Sequence, residues 1–535
     1  MAGVSRQTFA RAAWFAGVGA SALGIAVACS GNELKQPSGV PVSLAGLSRT
    51  SAAPASVALA AMPVPPPASQ AVPDPVALQP AQAEPPEPPE PPERAEPDAK
   101  EPESDGAPGE LVATAREVIV YAAPTRTAER LGYLRLGATV RRAPKAAGHE
   151  GCAQGWYRIA PEGFVCVGNA ASLAAEQPLA ALAHTRPDRD AALPYAYGRS
   201  KPVPPPLYAH LPSRSETLAL EGSAPRTATS FDDLPVHPVP DFLGEGGALP
   251  APFGFARKDA SATPRALPNS GFALLDVLEH EGRRFGLTTD LELVPLDRLT
   301  RVVASELHGV VLDEATTLPL VFVRAHHAVL LAGSPEHGFR PARPLHYREA
   351  LSLSTESVKI DGVRYLKTRA GEWLRDQELV RIDPPTHTPA GVRPGRTWIH
   401  VSIADQTLVA FVGSEAVYAT LVSTGADGLG DPATTHSTPR GEFLIHTKHL
   451  SATMNGDEVG DEFDLRDVPY VQYFTQGFAF HAAYWHDAFG APHSHGCVNL
   501  SPLDARWLFH FSEPAVPQGW HGAFSRAGTL VSITP

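Results

Sequence analysis

Cysteine is scarce in this chain: 535 residues contain four, Cys29, Cys152, Cys166 and Cys497. None lies in a C-x-x-C pair and no H-E-x-x-H frame accompanies them, so the usual zinc frameworks are excluded and neither metal nor cofactor is expected. Basic residues are outnumbered, 44 Lys and Arg against 57 Asp and Glu, for a net charge of −13. No stretch concentrates enough positive charge to grip a nucleic acid, which removes that class of partner. Near the N-terminus the apolar run Ala12 to Val27 stops at 16 residues, below the roughly 20 that span a bilayer as a helix. A permanent transmembrane anchor there is not expected.

What is present at that end is an export signal. Arg6 and Arg11 precede the apolar run, which closes on Ala26-Val27-Ala28-Cys29, the pattern of a signal peptide over residues 1–28. Cleavage before Cys29 fits two processes. One is ordinary A-x-A processing, with a free periplasmic product. The other acylates Cys29 and leaves a lipoprotein anchored to a membrane, although Ala26 stands where that pattern usually has Leu. The lipid anchor is the favoured reading, and the address is the cell envelope. Residues 29–110 are dominated by Ala, Pro, Ser and Glu, and ten acidic residues fall between Glu84 and Glu110. Such a segment buries no core, and repeated proline favours extended polyproline II, so a disordered tether is expected, reaching on the order of 200 Å if stretched.

The remaining length exceeds one ordinary core, which predicts several domains. Residues 111–173 alternate apolar and polar positions in short β-branched runs separated by glycine, the pattern of a small β-barrel. The order of its VYAAP and GWYRI segments resembles a bacterial SH3-like domain, a kind of module that binds wall peptides or serves as a spacer. Cys152 and Cys166 lie 14 positions apart within it; in an oxidising compartment they are expected to form a disulfide, the alternative being two buried thiols. Residues 174–270 are Pro-rich, either a linker or an irregular wrapping segment. Residues 281–302 align with 361–382 at an offset of 80, with six of 22 positions identical, so 271–390 reads as one or two β modules, an SH3-like repeat. His326 and His327 fall between two strand signals there and are expected on opposite faces, one to solvent and one to the core.

The chemistry of the chain sits in Ser494-His495-Gly496-Cys497-Val498-Asn499. A thiol is only a few per cent thiolate at neutral pH, so a working nucleophile needs a histidine to take its proton. His481 and His495 are both near enough in sequence. Gly496 lets the backbone approach closely. His486 and His493 complete a histidine cluster without metal-binding spacing. Strand signals recur at Trp398 to Ile403, Leu408 to Val412, Ala416 to Ser423, Gly441 to Thr447, Phe478 to His481 and Thr529 to Ile533. Ser501-Pro502-Leu503-Asp504 opens a short helix, with Ser as N-cap and Pro in the first turn.

These residues resemble the catalytic motif of the YkuD-type L,D-transpeptidases of bacterial cell-wall synthesis. Phe480-His481 supplies its upstream histidine, Ser494 to Asn499 its cysteine block, and VYATLVSTG (417–425) with TPRGEF (438–443) the approach to them. The resemblance covers residues 396–535. It implies a β-sandwich or barrel with a short helix after the Cys motif, hence a mainly β chain. It implies that Cys497 attacks a peptidoglycan stem tetrapeptide, releases D-alanine and passes the acyl group from a thioester to an amine on a second stem or an envelope protein. The base falls on His481, and backbone donors of His495, Gly496 and Cys497 shape the oxyanion site. Ser494 and Asn499 fix geometry and substrate, and Tyr473 matches an aromatic that often precedes the histidine. The alternatives are an L,D-carboxypeptidase and a non-catalytic wall-binding lipoprotein. Ala482 and Ala483 stand where the family often has Gly or Ser, which matters only if the base is held by a side-chain hydroxyl there.

Overall fold

The computed structural model describes residues 109–174, 186–222, 229–244, 246–255, 263–456 and 462–535. The signal peptide, Cys29 and the tether up to residue 108 lie outside the described residues. The last two residues assigned to the tether, Gly109 and Glu110, belong instead to the first strand, Gly109–Ala113, whose Leu111 and Ala113 are fully buried.

Short strands follow, Val118–Tyr121, Arg130–Leu134, Thr139–Arg142, Trp156–Arg158 and Phe164–Cys166. Trp156 is fully buried, with Tyr121 edge-on to it at 5.4 Å. Cys152 and Cys166 form a disulfide, their Cα atoms 5.8 Å apart. Gly163 turns the chain at φ 85°, where a Cβ would come within 2.4 Å of the Val120 side chain; only glycine fits both constraints.

The 80-residue repeat is physical. Arg283–Thr288, Leu293–Pro295, the 3-10 turn Leu296–Arg298 and Leu299–Arg301 match Val363–Thr368, Trp373–Arg375, Asp376–Glu378 and Leu379–Ile382. The identities explain themselves locally. Thr288 and Thr368 each accept the N–H of the glutamate four residues on, at 3.2 and 3.1 Å. Gly282 and Gly362 sit at φ 73° and 82° in the two hairpin turns. In the second copy Leu320–Val323 pairs with both Ala350–Ile360 and Leu379–Ile382. Its counterpart in the first copy is Ala196–Ser200, which pairs with Gly271–His280 and Leu299–Arg301. The Pro-rich 174–270 segment, read as linker or irregular wrapping, thus donates a strand to the first copy. His326 and His327 are both exposed; they lie in the turn after Leu320–Val323, where strand alternation no longer applies, and His326 stacks on Tyr347 at 4.3 Å.

The C-terminal domain is built on two sheets. One orders Glu415–Leu421, Thr407–Val412, Thr397–Ser402, Leu530–Thr534 and Gly441–Leu444. The other contains Thr447–Gly456, Phe463–Thr475, Phe478–Ala482, Val498–Leu500 and Gly522–Phe524. Helix Pro502–Phe511 packs on the second sheet and stacks Trp507 on Tyr418 of the first at 3.9 Å. One apolar cluster joins Ile399, Val401, Leu408, Phe480, Val498, Leu500 and Leu508, each full burial contributing about 1.5–3 kcal/mol. Ser501 accepts the N–H of Asp504 as N-cap. At the other end the fully buried Lys448 donates to the carbonyls of Phe509 and Ser512, satisfying acceptors that a helix C-terminus leaves open.

The preceding modules share sheets with this domain. Gly132 and Tyr133 pair with Ala523 and Gly522, and Val310 and Val311 pair with Ala419 and Tyr418. Among the described residues no helix is long and apolar enough to cross a membrane.

Candidate active site

Parallel pairing sets the site. Phe480 lies opposite Val498, His481 opposite Asn499 and Ala482 opposite Leu500. Side chains alternate along a strand, and paired residues of neighbouring strands share a face. Phe480, Ala482, Val498 and Leu500 therefore enter the main core, while His481 and Asn499 turn to the other face. Cys497, two residues before Asn499, joins them there. It is not disulfide-bonded, is 3% exposed, and sits in a second apolar cluster with Tyr473 and Ala479. Its Sγ lies 3.7 Å from the Gly477 carbonyl.

The cysteine loop is held by segments far away in sequence. Ser423 and Asn499 exchange backbone hydrogen bonds at 2.9 and 2.8 Å. The Ser494 N–H donates to the Thr424 carbonyl, and the Ala426 N–H donates to the Ser494 carbonyl. Thr438 Oγ1 donates to the Gly496 carbonyl at 2.8 Å while accepting the Gly425 N–H at 2.9 Å. Within the loop, Ser494 Oγ accepts the Gly496 N–H at 3.0 Å and donates to the Cys497 carbonyl. Of the three backbone donors expected at an oxyanion site, that of Gly496 is thus directed to Ser494. Gly496 has φ 120°, and a Cβ there would stand 2.5 Å from the Phe478 ring.

His481 is 2% exposed. Its Nδ1 lies 3.3 Å from the Ala482 carbonyl; a carbonyl only accepts, so Nδ1 carries the proton and Nε2 keeps its lone pair. Burial pushes its pKa down to about 4, partly opposed by that carbonyl. The ring is neutral at pH 7 and able to accept a proton. Because the backbone orients it, Ala482 and Ala483 remove nothing that this contact needs.

His495 is placed differently. It is half-buried, with its ring 4.7 Å from His436 and 5.0 Å from Phe463. Tyr473 lies opposite Ala479 in register and packs edge-on to His449 at 5.7 Å. Among the described residues no group of three or more His, Cys, Asp or Glu is arranged to hold a metal ion. Two contributors escape sequence reasoning. Thr438 was visible only as part of a motif. His486 stood only as a member of a histidine cluster, yet its Nε2 lies 2.9 Å from the Asn499 amide.

A cysteine and a neutral imidazole share one sheet face, with a glycine-shaped loop between fixed backbone bonds, an arrangement chemically able to support nucleophilic acyl transfer. Residues 396–533 match the family model of YkuD, the L,D-transpeptidase catalytic domain. The chain is 24% identical over 178 residues to the Bacillus subtilis (strain 168) protein named "Putative L,D-transpeptidase YciB", covering 31% of this chain and 82% of that one. Two solved structures are also similar. An L,D-transpeptidase (Yku) from Stackebrandtia nassauensis is 21% identical with a TM-score of 0.20, covering 28% of this chain, which spans 62% of its length. An L,D-transpeptidase from Mycobacterium smegmatis is 17% identical with a TM-score of 0.21, covering 35% of this chain and 99% of its own.

Proposed function

We propose that the chain is a peptidoglycan L,D-transpeptidase of the cell envelope. The observation that carries this reading is the pairing of His481 with Asn499, which sets a neutral imidazole on the face of Cys497. His481 Nε2 takes the Cys497 thiol proton as sulfur attacks the carbonyl between the third and fourth residues of a stem tetrapeptide. The C–N bond to D-alanine breaks, and the proton passes from His481 to the departing amine. The stem remains as a thioester. An amine then attacks that carbonyl, loses its proton to His481, and sulfur leaves and is reprotonated. The backbone N–H groups of His495 and Cys497 stabilise the oxyanion at each tetrahedral stage, that of Gly496 being held by Ser494. Ser494 and Thr438 act by holding the loop's carbonyls.

The N-terminal features complete the proposal: export, a lipid on Cys29, an extended tether, and SH3-like modules that engage wall peptide. The acceptor is an amine of another stem or of an envelope protein; a water acceptor would make the same site a carboxypeptidase. Incubation with a carbapenem tests the nucleophile. Intact mass should rise by one drug adduct in the wild type and not in Cys497→Ala; no adduct on folded wild type contradicts the assignment.

A further inference from the structure

His486 and Asn499 meet in a way that fixes both side chains. The Ala488 N–H donates to His486 Nδ1 at 3.1 Å. A ring nitrogen that accepts carries no proton, so the neutral imidazole bears its hydrogen on Nε2. Burial and the neighbouring His493 and His481 hold the pKa of His486 down to about 3, consistent with a neutral ring. Nε2–H needs an acceptor, and the Asn499 amide is 2.9 Å away. Of the two branches of that amide only the oxygen accepts, so the network turns Oδ1 toward His486 and the NH2 group the other way. With Nδ2 set toward His486, Oδ1 is buried and receives no hydrogen bond from the protein, and turning the amide relieves that unpaired acceptor as well as the meeting of two donors. A buried acceptor left unpaired costs about 1–3 kcal/mol, and the branch of the amide turned away from His486 lies on the face that carries His481 and Cys497.

We propose that His486 is a positioning residue whose Nε2–H tautomer turns Asn499, so that the amide NH2 is offered to a carbonyl or carboxylate oxygen of the acyl donor. The donor's identity rests on the acyl-transfer reading above; the tautomer and the amide orientation do not. Neither His493, which is exposed and 4.3 Å from the His486 ring, nor Phe489, at 5.1 Å, offers Nε2 an alternative to the Asn499 oxygen in the described contacts.

Ring-nitrogen NMR of the full chain labelled with 15N-histidine, assigned by comparison with His486→Gln, reads the tautomer without any turnover. The expected result is Nε2–H; an Nδ1–H ring overturns the proposal. Kinetics with a disaccharide tetrapeptide read the consequence. Asn499→Asp keeps the acceptor and removes the donor, and His486→Phe keeps a ring and removes the hydrogen bond. Each should lower kcat/KM by about 10-fold or more, mainly through KM. The double variant should lose no more than the worse single one, and His486→Gln, which retains an N–H donor, should regain most of the activity. Wild-type kcat/KM in His486→Phe, or a KM unchanged in Asn499→Asp, overturns it. Absence of turnover in the wild type would instead count against the acyl-transfer reading and leave the tautomer result to decide this one.

Discussion

Asp467 offers the sharpest test of how the modules are joined. Its carboxylate is 1% exposed and receives Arg135 through both guanidinium nitrogens, Ser451 Oγ at 2.7 Å, and Thr289 Oγ1. These partners come from three regions of the chain: Arg135 from the first β module, Thr289 from the first repeat copy, and Ser451 from the C-terminal domain. Burial alone would raise the carboxyl's pKa, but the Arg135 charge and the hydrogen bonds hold it well below the usual carboxylate range. Asp467→Asn keeps the shape and leaves the Arg135 guanidinium buried, 13% exposed, without its counter-charge. Breaking a buried pair by removing one partner costs about 3–5 kcal/mol. At a urea slope of about 3 kcal/mol per M the midpoint should fall by about 1 M or more. Arg135→Met should cost a similar amount, and the double variant less than the sum, because it leaves neither charge unpaired. The native carboxyl titrates below its unfolded value of about 4, so its contribution is present above that pH and is lost as pH falls toward the native pKa. The assay is urea unfolding at pH 7 followed by fluorescence. Single variants whose midpoints match the wild type would show that the Asp467–Arg135 pair does not hold the modules together.

Three other predictions rest on local geometry and protonation. Gly496→Ala forces a Cβ against the Phe478 ring at φ 120°; it should cost about 1–3 kcal/mol in the denaturation midpoint and lower acyl-enzyme formation by at least 10-fold. His481 is held at a pKa of about 4, below its ordinary 6.5; the acid limb of kcat/KM should therefore fall near pH 4, and a limb near 6.5 would contradict the neutral buried base. The same depressed pKa makes the unfolded state take up more protons between pH 6.5 and 4, so stability should decline across that window by about 3 kcal/mol from His481. Urea midpoints at pH 7, 5.5 and 4 check this, and His449 and His521, lowered to about 4 and about 3, act in the same direction.

Much of the candidate face is readable in the sequence because it is built from short-range rules. The S-P-L-D opening of the helix, the strand runs around Trp398 and Leu408, and the cysteine block each carry their own local signal. The repeat was readable because its few identities, Thr288 with Thr368 and Gly282 with Gly362, are the residues that make its turns. The rest depends on long-range pairing. The hairpin Thr447–Gly456 with Phe463–Thr475 carries no continuous strand signal, being interrupted by charged and glycine residues, and Asp467 and Tyr470 within it adopt φ 51° and 57°. Ala196–Ser200 finds its partners about 75 and 100 residues away along the chain, and no periodicity in a Pro-rich segment announces that. Lys448 reads in the sequence as a surface cation, yet it closes the end of a helix more than 60 residues ahead. His495 adjoins the cysteine in sequence, but the glycine turn and strand alternation give the buried face to His481.

The central claim is that Cys497 transfers a wall-peptide acyl group with His481 as base. Mass spectrometry of the purified chain incubated with a disaccharide tetrapeptide, beside its Cys497→Ala variant, tests it most directly. Loss of D-alanine and a cross-linked dimer are expected with the wild type and neither with the variant. Unchanged tetrapeptide with folded wild type, or equal product from Cys497→Ala, would contradict it.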